Sequence, residues 1–480
     1  MEFNPIRNKI RQFTYESLVV EVLAILKEQE RNPQPAAFWH PLILLKWAME
    51  FAEYKRPYKV ASRPDVLKLM GMVKELELAH ATFDPRQHGR VHKTFSILAF
   101  QQFTYQEKTF VDSFSRQFVL FQQLKHKHDI AAEFEKLSGL TIQHLLQAFY
   151  FLWILIFSND PTIYKYWGYI DKVLYQGLTD FFGATFTSTF LNLLTISKDT
   201  IASAVKEDTR QVRDYSLQVF DVSFFTRKPL FLYEGAALIP HRAILNQTFS
   251  HFIYDYMKHR DTAFTTELGA RMEKYMKAGL DEIKLRYQDE NELRRILGKR
   301  HKVVDFVLDG CVLVEAKAIE LKPYISVNPE DRLLSQELRQ TVGKAYAEQM
   351  QAVASALPIL TEYYGIIVTY KELYLGGSAD MWEQFLESEV NRVLGDDYKS
   401  HLRLPVENLF IMDLPTWDRL LQVLKDHKVS LVNLLQEIRA AEAEPKTKRF
   451  YFAMHLHNYP VDRFTHQYLT KAREEVTPLN

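Results

Sequence analysis

The stretch VVDFVLDGCVLVEAKA, Val303 to Ala318, sets Asp305, Glu315 and Lys317 into an otherwise apolar ribbon centred on the turn pair Asp309-Gly310. Two carboxylates can share a divalent cation, and an ammonium beside them can steady negative charge that develops there. Whether they act together depends on the turn, because side chains alternate between the two faces of a strand. A two-residue turn of Asp309 and Gly310 pairs Leu308 with Cys311, sets Asp305 opposite Val314 and separates it from Glu315. A three-residue turn, Leu308-Asp309-Gly310, with Gly310 in the left-handed conformation, pairs Val307 with Cys311 instead. Asp305 is then opposite Leu313 and diagonal to Glu315, about 7 to 8 Å between Cα atoms. Carboxylates at that distance can lean onto one ion at about 2.0 to 2.5 Å per oxygen. In this register Val304, Phe306, Leu308, Val312, Val314 and Ala316 make one wholly apolar face, and the three charges take the other. The plainer reading is an ion pair on a solvated face, against which stand the apolar neighbours Val303, Val307 and Leu313 on the same side.

An Asp on one strand followed by Glu-x-Lys on the next resembles the PD-(D/E)xK nuclease superfamily, here Asp305 and then Glu315-Ala316-Lys317. The resemblance covers roughly residues 262–371, in the order helix, strands, helix, strand. Val304 stands where the motif's name has Pro. The resemblance implies Mg²⁺ or Mn²⁺ held by Asp305, Glu315 and the Ala316 carbonyl, with Lys317 positioning a water. It implies a further carboxylate from the preceding helix, Glu273 in LGARMEKYM or alternatively Glu267. From the following helix it implies a Gln, Tyr or Lys, for which GKAYAEQM offers Lys344, Tyr346 and Gln349, with Tyr before Gln where one branch has the reverse order. The reaction implied is phosphodiester hydrolysis by an endonuclease, on DNA ahead of RNA, and a helical domain joined to such a nuclease resembles bacterial anti-phage defence effectors. The competing expectation is a non-catalytic scaffold of the same fold that binds nucleic acid or protein. The basic run GKRHK, with Lys299, Arg300 and Lys302, leads into the Asp305 strand and is a candidate contact for a phosphate backbone.

These residues need a framework, and 480 residues suffice for two or three domains. Hydrophobic residues are 47%, and Gly and Pro number only 16 and 18, which excludes disorder and favours long helices over a turn-rich sandwich. Sixty basic residues balance sixty acidic ones, so nucleic acid must be met by local patches. The single cysteine, Cys311, excludes an intrachain disulfide and a thiolate zinc cluster and reads as a packing residue. LLQAFYFLWILIF, Leu145 to Phe157, falls short of the roughly 20 residues a membrane span needs and is expected as a core helix. With no signal-peptide pattern at the amino terminus, a cytoplasmic location with no membrane contact is expected. No nucleotide-binding glycine loop is present.

Residues 1–225 carry helical spacing, many aromatics and no comparable strand signal, and are expected to form an α-helical recognition, regulatory or partner-docking domain. A homo-oligomer is compatible with this reading. Within that half RQHGRVHK and KHKHD read as solvated loops, as does EPKTKR near the carboxyl end. Residues 226–480 are expected to be the nuclease-like domain, a mixed β-sheet flanked by helices, so the fold class is mixed α+β/α/β. It starts with short extended pieces in FFTRKPLFLYEGAALIPH, and VNPEDRLLSQELRQ reads as a helix start, capped by Asn328 with Pro329 in its first turn. YGIIVTYKELYL and ENLFIMDL read as strands, and PTWDRLLQVLKDH and SLVNLLQEIRAAEAE as helices.

Overall fold

The computed structural model describes residues 2–31, 37–52, 59–80, 99, 111–157, 169–207, 214–326, 331–358, 362–461 and 466–477. RQHGRVHK, Asn328 and Pro329 lie outside the described residues. The fold mixes helices with two mixed sheets, one of four strands and one of five.

Helices α1 (Phe3–Ile10), α2 (Tyr15–Arg31), α3 (Trp39–Phe51) and α4 (Arg63–His80) begin the chain. Their buried faces form one apolar cluster together with residues from Ile196 to Ile244. The small sheet has the order β1 (Tyr169–Ile170), β4 (Ala236–Leu238), β3 (Leu230–Tyr233), β2 (Thr195–Ile196). β3 and β4 are the extended pieces expected near Leu230. β1 and β2 were not expected, because two-residue strands are too short to show alternation.

The larger sheet runs β5 (Tyr287–Asp289), β6 (Phe306–Leu308), β7 (Val312–Lys317), β8 (Tyr364–Thr369), β9 (Leu409–Asp413). β5, β6 and β7 are antiparallel neighbours, whereas β7, β8 and β9 are parallel. The central strands VLVEAK and YGIIVT are buried on both sides, as parallel strands between helical layers must be. Their residues sort by parity: Val312, Val314, Tyr364, Ile366, Val368, Phe410 and Met412 face one cluster, and Leu313, Ile367 and Leu409 the other. On the first face lie α5 (Val111–Phe118), α6 (Ile142–Phe157), α7 (Arg242–Met257) and α8 (Phe264–Ile283). On the second lies the helical stretch from Asp331 to Ala356, with wide π-helical turns at Arg339–Gly343 and Ala345–Met350.

The apolar clusters are interleaved along the chain, so Phe114 to Leu194 share a core with the large sheet. α6 contains the greasiest run and is largely buried there. No single helix among the described residues is long and apolar enough to cross a membrane.

Candidate metal centre

The hairpin of β6 and β7 decides what Asp305 and Glu315 can do. Leu308 pairs with Val312, Val307 with Leu313 and Phe306 with Val314. Three residues therefore make the turn, as the sequence required for the charges to gather. They are Asp309, Gly310 and Cys311, not Leu308-Asp309-Gly310. Asp309 and Gly310 both adopt positive φ, 47° and 78°, and the Asp309 N–H is taken by the Arg286 carbonyl at 3.0 Å. That bond to the β5 side holds Asp309 in a conformation that otherwise favours glycine. The expected diagonal placement is thus corrected. Continued one residue, the ladder sets Asp305 directly opposite Glu315, where paired residues come within about 5 Å. Backbone bonds lock the pair: the Asp305 N–H donates to Glu315 Oε2 at 3.2 Å, and the Ala316 N–H to Asp305 Oδ2 at 2.7 Å. Five of the six residues expected on the apolar face lie there, but Val304 precedes the strand and turns to the opposite cluster.

β5 adds a residue that the motif did not suggest. Asp289 pairs with Phe306, so the next step outward brings Glu290 beside Asp305. Glu290 opens helix α9 (Glu290–Leu297), capped by Asp289, whose carboxylate accepts the Glu292 N–H at 3.1 Å. Glu290, Asp305 and Glu315 are therefore successive members of one row across the end of the sheet.

Glu273 completes the cluster from α8. Leu268, Met272, Tyr275, Met276 and Leu280 bury one stripe of this helix. Lys277, one turn after Glu273, bonds Asp289 at 2.8 Å, and Tyr287 donates to Asp281 at 2.7 Å, so α8 is stitched along β5. Glu273, Glu290 and Asp305 each offer an oxygen within 4.8 Å of the others. At an effective dielectric of about 20, each such pair of full charges repels by about 3 kcal/mol.

The ionisation of the cluster follows. Burial, then the charges of Glu290 and Glu315, push the Glu273 carboxyl up to about 7. Burial, then Glu315 and Glu273, raise Asp305 well above the carboxylate range. Burial also raises Glu315, against the pull of Lys317, Gln349 and the Asp305 N–H.

Lys317 stands at the rim, donating to Glu315 Oε1 at 2.6 Å and to Gln349 Oε1 at 3.2 Å. Gln349 in turn donates to Glu315 Oε1 at 2.7 Å and to the Val303 carbonyl at 3.1 Å. Its π-helical turn inserts one residue into the helix and so aims it at the sheet. No family model, curated protein or solved structure matches this chain. The site stands on its own geometry.

Several sequence candidates are elsewhere. Tyr346, in the same wide turn as Gln349, is buried in the helix-side core and donates to the Leu404 carbonyl at 2.8 Å. Lys344 is exposed. Glu267, the alternative helix carboxylate, is held by Arg271 at 2.9 Å and by the N–H groups of Lys127 and His128 at 3.0 Å each. KHKHD is thus a surface loop whose backbone secures Glu267. Lys299 and Arg300 are exposed, and Lys302 is paired with Glu348. EPKTKR is exposed, with Lys448 bonded to Asp380 at 2.9 Å.

The donor set suits a hard divalent cation. Glu273, Glu290, Asp305 and Glu315 with the Ala316 carbonyl supply only oxygen, and the nearby cations Lys317 and Arg294 are engaged with Glu315 and Glu290. Among the described residues neither Glu273 nor Asp305 has a salt-bridge partner, and Lys317 acts on both only through its charge. Glu290 escaped the sequence reading because YQDE shows neither strand alternation nor motif spacing.

Proposed function

We propose that the chain is a metal-dependent nuclease hydrolysing phosphodiester bonds, with DNA ahead of RNA as substrate. One observation carries the reading: Glu273 and Asp305, which have no salt-bridge partner among the described residues, meet beside the Glu315, Lys317 and Gln349 network. The order α8, β5–β6–β7, helix, β8 agrees with the helix, strands, helix, strand order of the nuclease core that the motif resembles.

Mg²⁺ or Mn²⁺ bound by Asp305, Glu315, Glu273 and the Ala316 carbonyl would neutralise the scissile phosphate and acidify a water. Lys317 is fixed by two acceptors, so its remaining N–H can orient the attacking water and stabilise charge on the phosphate oxygens. Gln349 keeps Glu315 and Lys317 in register and limits their rotation. The anti-phage setting belongs to the same proposal, with the helical amino-terminal part as the place for a protein partner or trigger.

The test is incubation of plasmid and single-stranded DNA or RNA with the full chain and Mg²⁺ or Mn²⁺, set against Lys317→Ala. Cleavage that falls about a hundredfold or more in the variant supports the mechanism. Equal cleavage by both proteins rules it out, and binding without cleavage favours the scaffold reading.

A further inference from the structure

Resting on the nuclease reading, we propose that Arg294 is a phosphate-binding residue held in reserve by Glu290. Capture of Glu290 by a second divalent cation beside Glu273 and Asp305 releases it to the nucleic-acid backbone.

Glu290 has two claims on it. Its carboxylate belongs to the cluster with Glu273 and Asp305, all within 4.8 Å. It is also the partner of Arg294 four residues on, which reaches it with Nε at 2.7 Å and Nη2 at 2.6 Å. Both of these contacts fall on Oε1. A guanidinium that satisfies a carboxylate usually spreads over both oxygens. Here Oε2 accepts no hydrogen bond among the described residues, so one oxygen remains for a cation. Moving the negative charge of Glu290 onto that cation removes the counter-charge of Arg294.

Arg294 stands where a freed guanidinium meets substrate. It occupies the last turn of α9 beside Arg295, and the exposed Lys299 and Arg300 follow Gly298. Its Nη1 reaches the carbonyls of Lys299 and His301 at 3.4 and 3.5 Å, so one side chain joins the carboxylate cluster to the basic turn. The side chains of Arg294 and Glu290 are 40% and 42% exposed, open to a polyanion and tolerant of substitution. A guanidinium grips a phosphodiester through two parallel N–H bonds whatever the base, so the ligand is the backbone and not a sequence.

The prediction is a coupling of cation and polyanion that must be reciprocal. Mn²⁺ binding to the full chain is counted by electron paramagnetic resonance, and binding of a fluorescein-labelled duplex is followed by anisotropy with and without Ca²⁺. The wild type is expected to bind about two Mn²⁺ and Glu290→Gln about one. Ca²⁺ should tighten duplex binding about tenfold in the wild type and by less than about twofold in Arg294→Gln, which keeps both Mn²⁺. Without divalent cations, Glu290→Gln should bind duplex more tightly than wild type, because Arg294 is already released. Equal Mn²⁺ stoichiometry in wild type and Glu290→Gln overturns the proposal while leaving the nuclease reading standing, as does an undiminished Ca²⁺ effect in Arg294→Gln. A wild type that binds no Mn²⁺ overturns both.

Discussion

Helix α8 carries two glutamates six residues apart that the fold treats in opposite ways. Burial would raise Glu267, but the Arg271 guanidinium and the N–H groups of His128 and Lys127 outweigh it and bring the carboxyl down to about 2. Burial also raises Glu273, but here the neighbouring carboxylates Glu290 and Glu315 add to it and the carboxyl is pushed up to about 7. The residue type and the helix are the same, and the donors differ. A buried carboxylate surrounded by donors is a structural fastener, here joining α8 to the loop at 126–128. One surrounded by acids is a place where a cation or a proton must come.

The contrast is most exposed to failure at Glu267. Glu267→Ala leaves Arg271, 1% exposed, with the carbonyls of Leu120, Phe121 and His128 as its only acceptors among the described residues. Urea unfolding should show a loss of about 3 to 5 kcal/mol. A loss under about 1 kcal/mol would show that its fastening role is overstated.

At the other site the stabilising partner comes from solution. Mn²⁺ at about 100 times its dissociation constant should stabilise the wild type by about 2.7 kcal/mol for each ion bound at pH 8, and Asp305→Asn should abolish the gain. Thermal unfolding with and without the ion reads this directly, and an equal gain in both proteins would move the metal elsewhere.

A smaller effect belongs to Glu273 itself without metal. Its folded pKa of about 7 lies above its ordinary value of 4.5, so the folded state holds the proton more tightly and loses stability as pH rises through that window. Glu273→Gln should match wild type below about pH 4.5 and exceed it by on the order of 1 to 2 kcal/mol above pH 7, after discounting for solvent screening. Parallel stability curves for the two proteins would contradict the shift. Least of all, Tyr346→Phe should cost about 1 kcal/mol for the bond to Leu404 and leave Mn²⁺ affinity unchanged. A change in Mn²⁺ affinity would return Tyr346 to the site.

Strong local signals made much of this legible in the sequence. The alternation in VVDFVLDGCVLVEAKA sorted its residues onto two faces, and YGIIVTYKELYL and ENLFIMDL contain β8 and β9. Gln349 was one of three candidates, with Lys344 and Tyr346, that the resemblance implied on the helix after Glu315-Ala316-Lys317. What escaped depended on pairing at a distance. The slide of the hairpin follows from the Asp309 bond to Arg286, a residue of another segment. Glu290 joined the cluster through β5, three residues whose composition has no strand character. The merging of Phe114 to Leu194 into the core beneath the large sheet left no trace in local periodicity, because helices that bury one stripe look alike whatever they cover.

The three-residue turn Asp309-Gly310-Cys311 works for the sheet as a reading frame does for a message. Deleting or inserting one residue there would exchange the two faces of β7 downstream, sending Glu315 and Lys317 into the core occupied by Val314 and drawing apolar side chains onto the cation site. A change of two residues would keep the faces and slide Asp305 past Glu315. Length at this turn is therefore under tighter constraint than composition, the reverse of what surface loops usually allow.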